Sequence, residues 1–274
     1  MSFDDLLRHR PGEVRMVTSG ANEIVKALRS LRLKKYRNES NLFIAEGART
    51  LIEALELGHQ PKAIAYLGAS QDEPHVKRII DAVKAAGGLC LEVNEEVLNK
   101  ISERENPQTV VGVFEQRWGH LQSLQVDKQI LVLEDIRDPG NLGTILRTCD
   151  GFGVTQVVLA GNCTDPYGIE AVRASMGSLF SIRLVAAEAA QLFDWLKNYQ
   201  GEIVGTALQS AKDIRTTNWQ QPHIIVMGNE QKGLSEDLRK CCTQLIKIPM
   251  RGRADSFNLA VATAITLYLA GSEA

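Results

Sequence analysis

Three glycine-containing turns carry the polar residues whose types and spacing could do chemistry. The first, DPGNLGTILRTCDGFG from Asp138 to Gly153, follows a hydrophobic run and places Asn141 and Arg147 six residues apart. On a helix that begins inside the turn, these two side chains would share roughly one face. There an arginine could bind a phosphate or stabilise a developing oxyanion. The alternative is that Asn141 only caps the helix and Arg147 is an ordinary surface charge.

The second turn is MGNEQKGL, from Met227 to Leu234. Gly228 and Gly233 would let a ligand approach the backbone closely, and Glu230 would be a hydrogen-bond acceptor beside that ligand. A plain loop between a strand and a helix capped by Ser235 would have the same composition.

The third turn opens the segment IPMRGRADSFNLAVATAITLYLAG, from Ile248 to Gly271. A proline ends a strand, a loop rich in arginine and glycine follows, and Ser256 begins an almost wholly apolar helix. Ser256 could be the N-cap of that helix, a functional residue, or both. A helix that is apolar all round is buried or lies in an interface.

None of these turns matches a standard phosphate-binding loop. The glycines of the first turn are Gly140, Gly143, Gly151 and Gly153, which fit neither GxGxxG nor GxxxxGK followed by Ser or Thr. The pattern therefore argues against a nucleotide-dependent α/β enzyme of those classes.

The elements that must position the three turns alternate between strand and helix after residue 128. Most strand candidates are apolar at successive positions, as in a strand covered on both faces, which predicts an open parallel sheet between helices. Ligands of such sheets bind at the carboxyl ends of the strands. The predicted strands are QILVLE, QVVLA, SIRLVA, EIVGTA, HIIVMG and LIKIP, and the predicted helices lie near 141–151, 168–177, 188–199, 233–242 and 257–270.

The first half of the chain predicts a small α/β domain. The helical pattern ANEIVKALRSLRLKKYR precedes the strand NLFIAEG, and ARTLIEALELG, KAIAYLG, HVKRIIDAVKAAGG, GLCLEV and TVVGVFE continue the alternation. RWGHLQSLQVDKQ is polar and unpatterned, which predicts a linker. We therefore divide the chain into an N-terminal extension (1–17), a first domain (18–116), a linker (117–128) and a second domain (129–274).

The composition is that of an ordinary globular protein. The 274 residues carry a net charge of −2, and 44% of them are hydrophobic. The charge is uneven: Arg8–Arg37 contains nine basic and two acidic residues, so it carries +7 and leaves −9 for the remainder. Such a basic segment is typical of a polyanion contact or of a solvated helix face.

The five cysteines form no CxxC pair and have no histidine at metal-ligand spacing, which predicts reduced thiols and no metal site. No apolar run is long enough to span a membrane, and MSFDDLLRHR lacks the apolar core of a signal peptide. We therefore expect a cytoplasmic protein.

Taken together, NLGTILRT, GNEQKGL and IPMRGRADSFNLAVA resemble, in order and spacing, the three motifs of the SpoU/TrmH family of RNA 2′-O-ribose methyltransferases within the SPOUT superfamily. EIVKALRSLRLKKYRNESNLFIAEGARTLIEAL resembles the RNA-binding domain of many members, so the resemblance covers residues 18–270. It implies an α/β fold, with a deep trefoil knot in a mostly parallel C-terminal sheet. It also implies a small N-terminal α/β domain similar to the ribosomal proteins L30e and L7Ae.

The resemblance also implies a reaction. The methyl donor would be S-adenosyl-L-methionine and the acceptor a ribose 2′-hydroxyl of structured RNA, in a homodimer that needs no metal and no membrane. Because the N-terminal domain is separate, ribosomal RNA is the expected substrate, with the large-subunit RNA favoured. The alternatives are a transfer-RNA 2′-O-methyltransferase and a non-catalytic knotted RNA-binding protein of ribosome assembly.

Roles for individual residues follow from the resemblance alone. The implied catalytic residues are Asn141, Arg147, Glu230, Ser256 and Asn258. The implied cofactor-binding residues are Thr206, Gly228, Asn229, Gly233, Ile248, Met250, Ser256, Phe257 and Asn258. RNA binding is expected of Arg29, Arg32, Lys34, Lys35 and Arg37. Family members commonly read Ser-Leu-Asn-Val-Ser where this chain has Ser256-Phe257-Asn258-Leu259-Ala260, so we assign no hydroxyl role at Ala260.

The family proposal makes Arg147 the base that takes the proton of the 2′-hydroxyl. A guanidinium with a pKa above about 12 is a poor base. We therefore expect Arg147 to bind phosphate or to stabilise negative charge. Asn141 and Ser256 would orient the ribose and the arginine, and Glu230 would position Asn258 or the neighbouring backbone.

Overall fold

The computed structural model describes residues 10–102, 108–207, 211–219 and 223–271. The chain divides by its contacts into two units. One is Met1–Gln116 together with Tyr167–Phe180, and the other is Arg117–Pro166 together with Ser181–Ala274. Residues 1–9 of the predicted extension, and Arg8 with them, lie outside the described residues, as do 272–274.

The helices of the described residues fall at or near the positions that the apolar periodicity predicts, with one addition, Glu95–Ser102. They are α1 (Glu23–Ser30), α2 (Lys34–Ser40), α3 (Ala48–Glu56), α4 (Pro74–Ala85), α5 (Glu95–Ser102), α6 (Pro139–Gly151), α7 (Ile169–Ser175), α8 (Ala189–Lys197), α9 (Glu236–Cys241) and α10 (Leu259–Gly271).

The first unit is built on a mixed sheet of five strands in the order β1-β4-β3-β5-β2. In it β4 is parallel to both β1 and β3, and β5 is antiparallel to both β3 and β2. One face packs α1 and α5 against a buried aliphatic cluster. The strands are β1 (Val14–Val17), β2 (Leu42–Glu46), β3 (Ala63–Leu67), β4 (Leu89–Val93) and β5 (Val110–Glu115).

The second unit is built on eight strands in the order β11-β13-β10-β12-β7-β8-β9-β6, and every pair is parallel. Its central strands are buried along their length, as the apolar runs predict. This confirms the predicted parallel sheet with helices. The strands are β6 (Trp118–Gly119), β7 (Ile130–Glu134), β8 (Gln156–Ala160), β9 (Arg183–Ala187), β10 (Glu202–Thr206), β11 (Lys212–Asp213), β12 (His223–Met227) and β13 (Gln244–Lys247).

The pattern that predicts one helix over residues 21–37 folds as two helices, α1 and α2. The side chain of Arg37 is buried, and its Nη1 donates to the carbonyls of Leu31 (2.8 Å) and Arg32 (2.7 Å). These carbonyls follow the last turn of α1 and lack helical partners. Arg37 thus stabilises the break between the helices.

Two segments that were predicted from the sequence to lie outside the domains contain strands. Val14–Val17, within the predicted extension, is β1 and pairs with β4. Trp118–Gly119, within the predicted linker, is β6 and pairs with β9, while Leu121 and Leu124 are buried in the core of the second unit. Strands of two to four residues at a sheet edge are too short to show a periodic pattern.

Residues 168–177, predicted as a helix of the second domain, contain α7 and belong to the first unit. Arg173 of α7 donates to both carboxylate oxygens of Glu46 (2.8 and 3.1 Å). Nearby, the ring of Phe180 lies 4.8 Å from that of Phe114. The first unit therefore draws part of its core from a distant stretch of the chain.

Candidate active site

The carboxyl ends of β7, β12 and β13 bring the three turns to one edge of the parallel sheet. β7 and β12 are neighbours, and β10 separates β12 from β13. A cavity of about 430 Å³ lies at this edge. That volume is in the range of sites for small molecules and cofactors.

Most of the residues that the resemblance assigns to the cofactor line this cavity. They are Thr206, Gly228, Asn229, Gly233, Ile248, Met250, Ser256 and Phe257, together with the predicted catalytic residue Glu230. Asn258 is not among the lining residues. The structure thus gathers the second and third turns around one space.

Sequence reasoning did not identify several other lining residues. Ala207, Met227, Ile246 and Lys247 lie at or next to the carboxyl ends of strands, a position that could have identified them. Arg239 of α9 and Ala262 of α10 face the cavity from helices and gave no signal in the sequence. The remaining members of the wall are Gln231, Lys232, Leu234 and Leu259.

The backbone around position 228 leaves no room for a side chain, so only glycine fits there. A Cβ atom at this position would lie 2.3 Å from the carbonyl carbon of Gly233 and 2.4 Å from the nitrogen of Leu234. The chain closes on itself there because the Asn229 and Gly233 N–H groups donate to each other's carbonyls (3.1 and 2.9 Å). Gly228 and Gly233 therefore shape the loop that forms one wall of the cavity.

The side chain of Asn229 organises the same loop. Its Oδ1 accepts hydrogen bonds from the N–H groups of Gln231 (3.0 Å) and Lys232 (3.1 Å). Its Nδ2 donates to the carbonyl of Asp135 after β7 (2.8 Å). Asn229 thus joins the second turn to the segment between β7 and the first turn, in addition to lining the cavity.

Asn141 connects all three turns. It is not the cap of α6, because Asp138 accepts its N–H at 2.6 Å and is the N-cap. Its side chain is therefore available: Nδ2 donates to Glu230 Oε1 (3.4 Å), and Oδ1 accepts from Asn258 Nδ2 (2.8 Å). The sequence predicts that Glu230 positions Asn258 or the neighbouring backbone, and in the structure Glu230 is linked to Asn258 through Asn141.

The apolar helix begins later than the sequence predicts. α10 starts at Leu259, and Asn258 caps it by accepting the Ala260 N–H at 2.9 Å. Ser256 is therefore not the N-cap; it is exposed and lines the cavity. Asn258 serves two functions, because Oδ1 caps the helix while Nδ2 donates to Asn141.

Arg147 lies on the solvent side of α6. Its side chain is exposed and has no hydrogen-bond or ion-pair partner among the residues that the structure describes. At 3.6 residues per turn, six residues rotate a helix so that Arg147 and Asn141 are about 120° apart. The expectation that they share one face is therefore wrong. An exposed guanidinium without a protein partner remains available to an external anion.

The basic residues of the first unit differ in their surroundings. Arg29, Lys34 and Lys35 are exposed. Arg32 is half-buried, and desolvation lowers its pKa, followed by repulsion from Arg173. Arg37 is buried and committed to backbone carbonyls, so the structure contradicts its assignment as an RNA contact.

The thiols near the sheet edge are unsuited to nucleophilic chemistry. Burial raises the pKa of Cys163 to about 11 and that of Cys242 to about 12, which suppresses the thiolate at neutral pH. Among the described residues, no cluster of three His, Cys, Asp or Glu side chains could hold a metal ion. No described helix is long and apolar enough to cross a membrane.

The sequence profile of the SpoU rRNA Methylase family matches residues 128–268. The chain belongs to this family. The profile of the MRM3-like substrate binding domain matches residues 22–112.

Relatives of this family member align over nearly its whole length. The 23S rRNA (guanosine(2553)-2′-O)-methyltransferase RlmP of Bacillus subtilis is 29% identical over 93% of this chain and 98% of its own. The AdoMet-bound rRNA methyltransferase of Sinorhizobium meliloti is 43% identical, with a TM-score of 0.88 over 94% of this chain and 97% of its own. The SpoU methyltransferase AviRb of Streptomyces viridochromogenes, solved with AdoMet, is 27% identical, with a TM-score of 0.83 over 92% of this chain and 98% of its own.

Proposed function

We propose that this protein transfers a methyl group from S-adenosylmethionine to a ribose 2′-hydroxyl of ribosomal RNA. The observation that carries the proposal is the chain of hydrogen bonds from Glu230 through Asn141 to Asn258 beside the cavity. It fixes polar groups from three turns at the edge of one ligand-sized space. The RlmP and AviRb relatives support this reaction and this class of RNA.

The residues of the cavity fit the proposed cofactor. Its volume of about 430 Å³ suits a ligand of nucleoside size carrying an amino-acid chain. Met227, Leu234, Ile248 and Met250 provide apolar surface, and Gly228 lets the loop fold back on itself as one wall of the cavity. When bound, S-adenosylmethionine supplies an electrophilic methyl group on a sulfonium.

The protein's contribution to the reaction is positioning and electrostatics. Holding the ribose oxygen in line with the methyl carbon can account for much of the acceleration. We propose that Asn141 and Ser256 orient the ribose from the sheet edge. Glu230, which accepts from Asn141, fixes the orientation of that amide.

Arg147 is proposed to bind an RNA phosphate or to stabilise the developing oxyanion. Support comes from its exposure and its lack of a carboxylate partner among the described residues. An Arg147→Lys variant keeps the charge and loses the bidentate fork. We expect it to lose turnover. Nearly full turnover with an unchanged pH profile would show that the fork has no role.

We propose the deep trefoil knot from family membership, and a cytoplasmic site of action from the ribosomal substrate. For the homodimer, α10 leaves Val261 and Tyr268 exposed (46% and 62%), and Phe152 beside Tyr268 is also exposed (43%). Several exposed apolar side chains on one surface are typical of the symmetric interface of a homodimer. We also propose 18–116 and 129–274 as the functional domains; the contact units differ from them at Val14–Val17 and at Tyr167–Phe180.

A deletion strain tests the function directly. RNA from a strain lacking the protein should lack one ribose 2′-O-methyl group in its ribosomal RNA, and the wild-type gene should restore it. A gene carrying Asn141→Ala should not restore it, whereas Asn198→Ala, an exposed asparagine at the end of α8, should. Loss of a methyl group from transfer RNA alone would support the alternative substrate. An unchanged methylation map, with no affinity for S-adenosylmethionine by calorimetry, would support the non-catalytic RNA-binding protein.

A further inference from the structure

The turns after β7 and β8 hold Asp135 in a left-handed backbone conformation. Its φ is 53°, which is uncommon for a residue other than glycine. The Asp135 N–H donates to the carbonyl of Ala160 (3.1 Å), and its Oδ1 accepts from the N–H of Asn162 (2.7 Å). The turn after β8 therefore holds both the backbone and the carboxylate of Asp135.

This conformation directs the carbonyl of Asp135 toward the cavity loop. The carbonyl accepts from Asn229 Nδ2 (2.8 Å), and Asn229 Oδ1 accepts from the N–H groups of Gln231 and Lys232. Glu230 lies within the same loop and accepts from Asn141 (3.4 Å). A continuous series of hydrogen bonds thus runs from Asp135 to the residues that line the cavity.

Gly161 fixes the position of Asp135 from the other side. A Cβ atom at position 161 would lie 2.6 Å from Asp135 Oδ1, and Gly161 itself has a φ of +66°. Neither Asp135 nor Gly161 is among the residues that line the cavity. The pair contacts the cavity loop through the bond between the Asp135 carbonyl and Asn229.

We propose that Asp135, held against Gly161, is a positioning residue that shapes the cofactor-binding loop through Asn229. The inference rests on the proposed function, since it assigns the loop to S-adenosylmethionine. It assigns a role to two residues, Asp135 and Gly161, that lie outside the three sequence motifs.

A pair of glycine substitutions tests the proposal. Gly161→Ala introduces a collision with Asp135, whereas Gly153→Ala has the same left-handed strain (φ +73°) and no atom within 4 Å of the new Cβ. We expect Gly153→Ala to lose thermal stability through backbone strain alone, and Gly161→Ala to lose at least as much. Only Gly161→Ala should raise the Kd for S-adenosylmethionine, measured by calorimetry, by roughly fivefold or more. Its affinity for RNA should not change.

A second substitution provides the rescue. Asp135→Gly removes the carboxylate and tolerates the left-handed conformation, so in a Gly161→Ala background it should return the cofactor Kd most of the way to the wild-type value. If Gly161→Ala binds the cofactor as tightly as Gly153→Ala, or if Asp135→Gly gives no rescue, the positioning role is wrong. If the wild-type protein does not bind S-adenosylmethionine, the proposed function fails instead.

Should Gly161→Ala fail to fold, two variants of Asp135 make the same comparison. Asn keeps an Oδ1 acceptor and tolerates the left-handed region, whereas Val tolerates it poorly. Asp135→Asn should bind the cofactor like the wild type, and Asp135→Val should bind it more weakly at a temperature where both are folded. Equal affinities would overturn the proposal.

Discussion

At the scale of single residues, the site depends on asparagine side chains that both donate and accept. Asn141 donates to Glu230 and accepts from Asn258, while Asn229 donates to Asp135 and accepts from two N–H groups. Aspartate has nearly the same shape and lacks the donor. Replacing one of these asparagines with aspartate therefore removes the donated hydrogen bond and keeps the shape of the side chain.

Asn141→Asp should lower turnover by roughly 10²-fold, because its carboxylate would face that of Glu230 and the second turn would separate from the first, while the bond from Asn258 is kept. A proton shared between the carboxylates would restore a donor, so part of the activity should return as the pH is lowered. The measurement is the rate of methyl transfer to RNA from pH 5 to 9, with Asn198→Asp as the control. A loss that does not depend on pH would contradict the shared-proton explanation.

The buried thiols should resist alkylation in the native protein. Burial raises the pKa of Cys90 to about 11 and that of Cys149 to about 12. A raised pKa means less thiolate at any given pH, so reaction with iodoacetamide at pH 8 should require unfolding. Mass spectrometry with and without urea checks this. Equal rates for Cys149 in both states would contradict the burial.

At the scale of secondary-structure elements, α10 is positioned by the residue that precedes it. Asn258 caps the helix with Oδ1 and donates to Asn141 with Nδ2. Movement at the start of α10 would therefore disturb the first turn as well as the third.

Substitutions of Asn258 should separate these two functions. Asn258→Ala should destabilise the fold by about 1 kcal/mol, since an N-cap is lost. Asn258→Asp keeps the cap and should keep the stability. Both variants should lose activity, because neither can donate to Asn141. Urea unfolding and methyl-transfer assays check the two effects, and an active Asn258→Asp would show that the donated hydrogen bond is dispensable.

The sequence predicted the elements whose patterns are long, and missed those fixed by single contacts. The central strands β7, β8 and β12 are apolar runs, and the structure confirms them. The break between α1 and α2 depends on one buried side chain, Arg37. In the sequence, this arginine cannot be distinguished from the exposed basic residues beside it. The network around Asn141 depends on which residue caps α6, and Asp138 and Asn141 are equally good caps by type.

At the scale of the whole molecule, the chain passes between the two units more than once. It leaves the first unit after Gln116, returns for Tyr167–Phe180, and leaves it again. The returning segment includes Arg173, which pairs with Glu46, a side chain only 3% exposed. An ion pair between residues distant in sequence therefore contributes to the first unit.

Arg173→Ala should destabilise the first unit by more than about 1 kcal/mol, because the nearly buried carboxylate of Glu46 would lose the two hydrogen bonds that Arg173 donates. The matched control is Arg49→Ala, since the exposed pair of Arg49 (87% exposed) with Glu53 should contribute no more than about 1 kcal/mol. Chemical denaturation followed by fluorescence checks both variants. A destabilisation equal to that of the control would show that the contacts Glu46 keeps compensate for the loss of Arg173.

The return of Tyr167–Phe180 to the first unit also bears on how the chain folds during synthesis. When Gln116 has left the ribosome, the arginine that pairs with Glu46 and the ring that packs on Phe114 have not yet been made. The first unit can complete its core only after β7, α6 and β8 have emerged, so the two units must mature in an interleaved order. A nascent chain paused shortly after Gln116 would expose aromatic surface that chaperones bind.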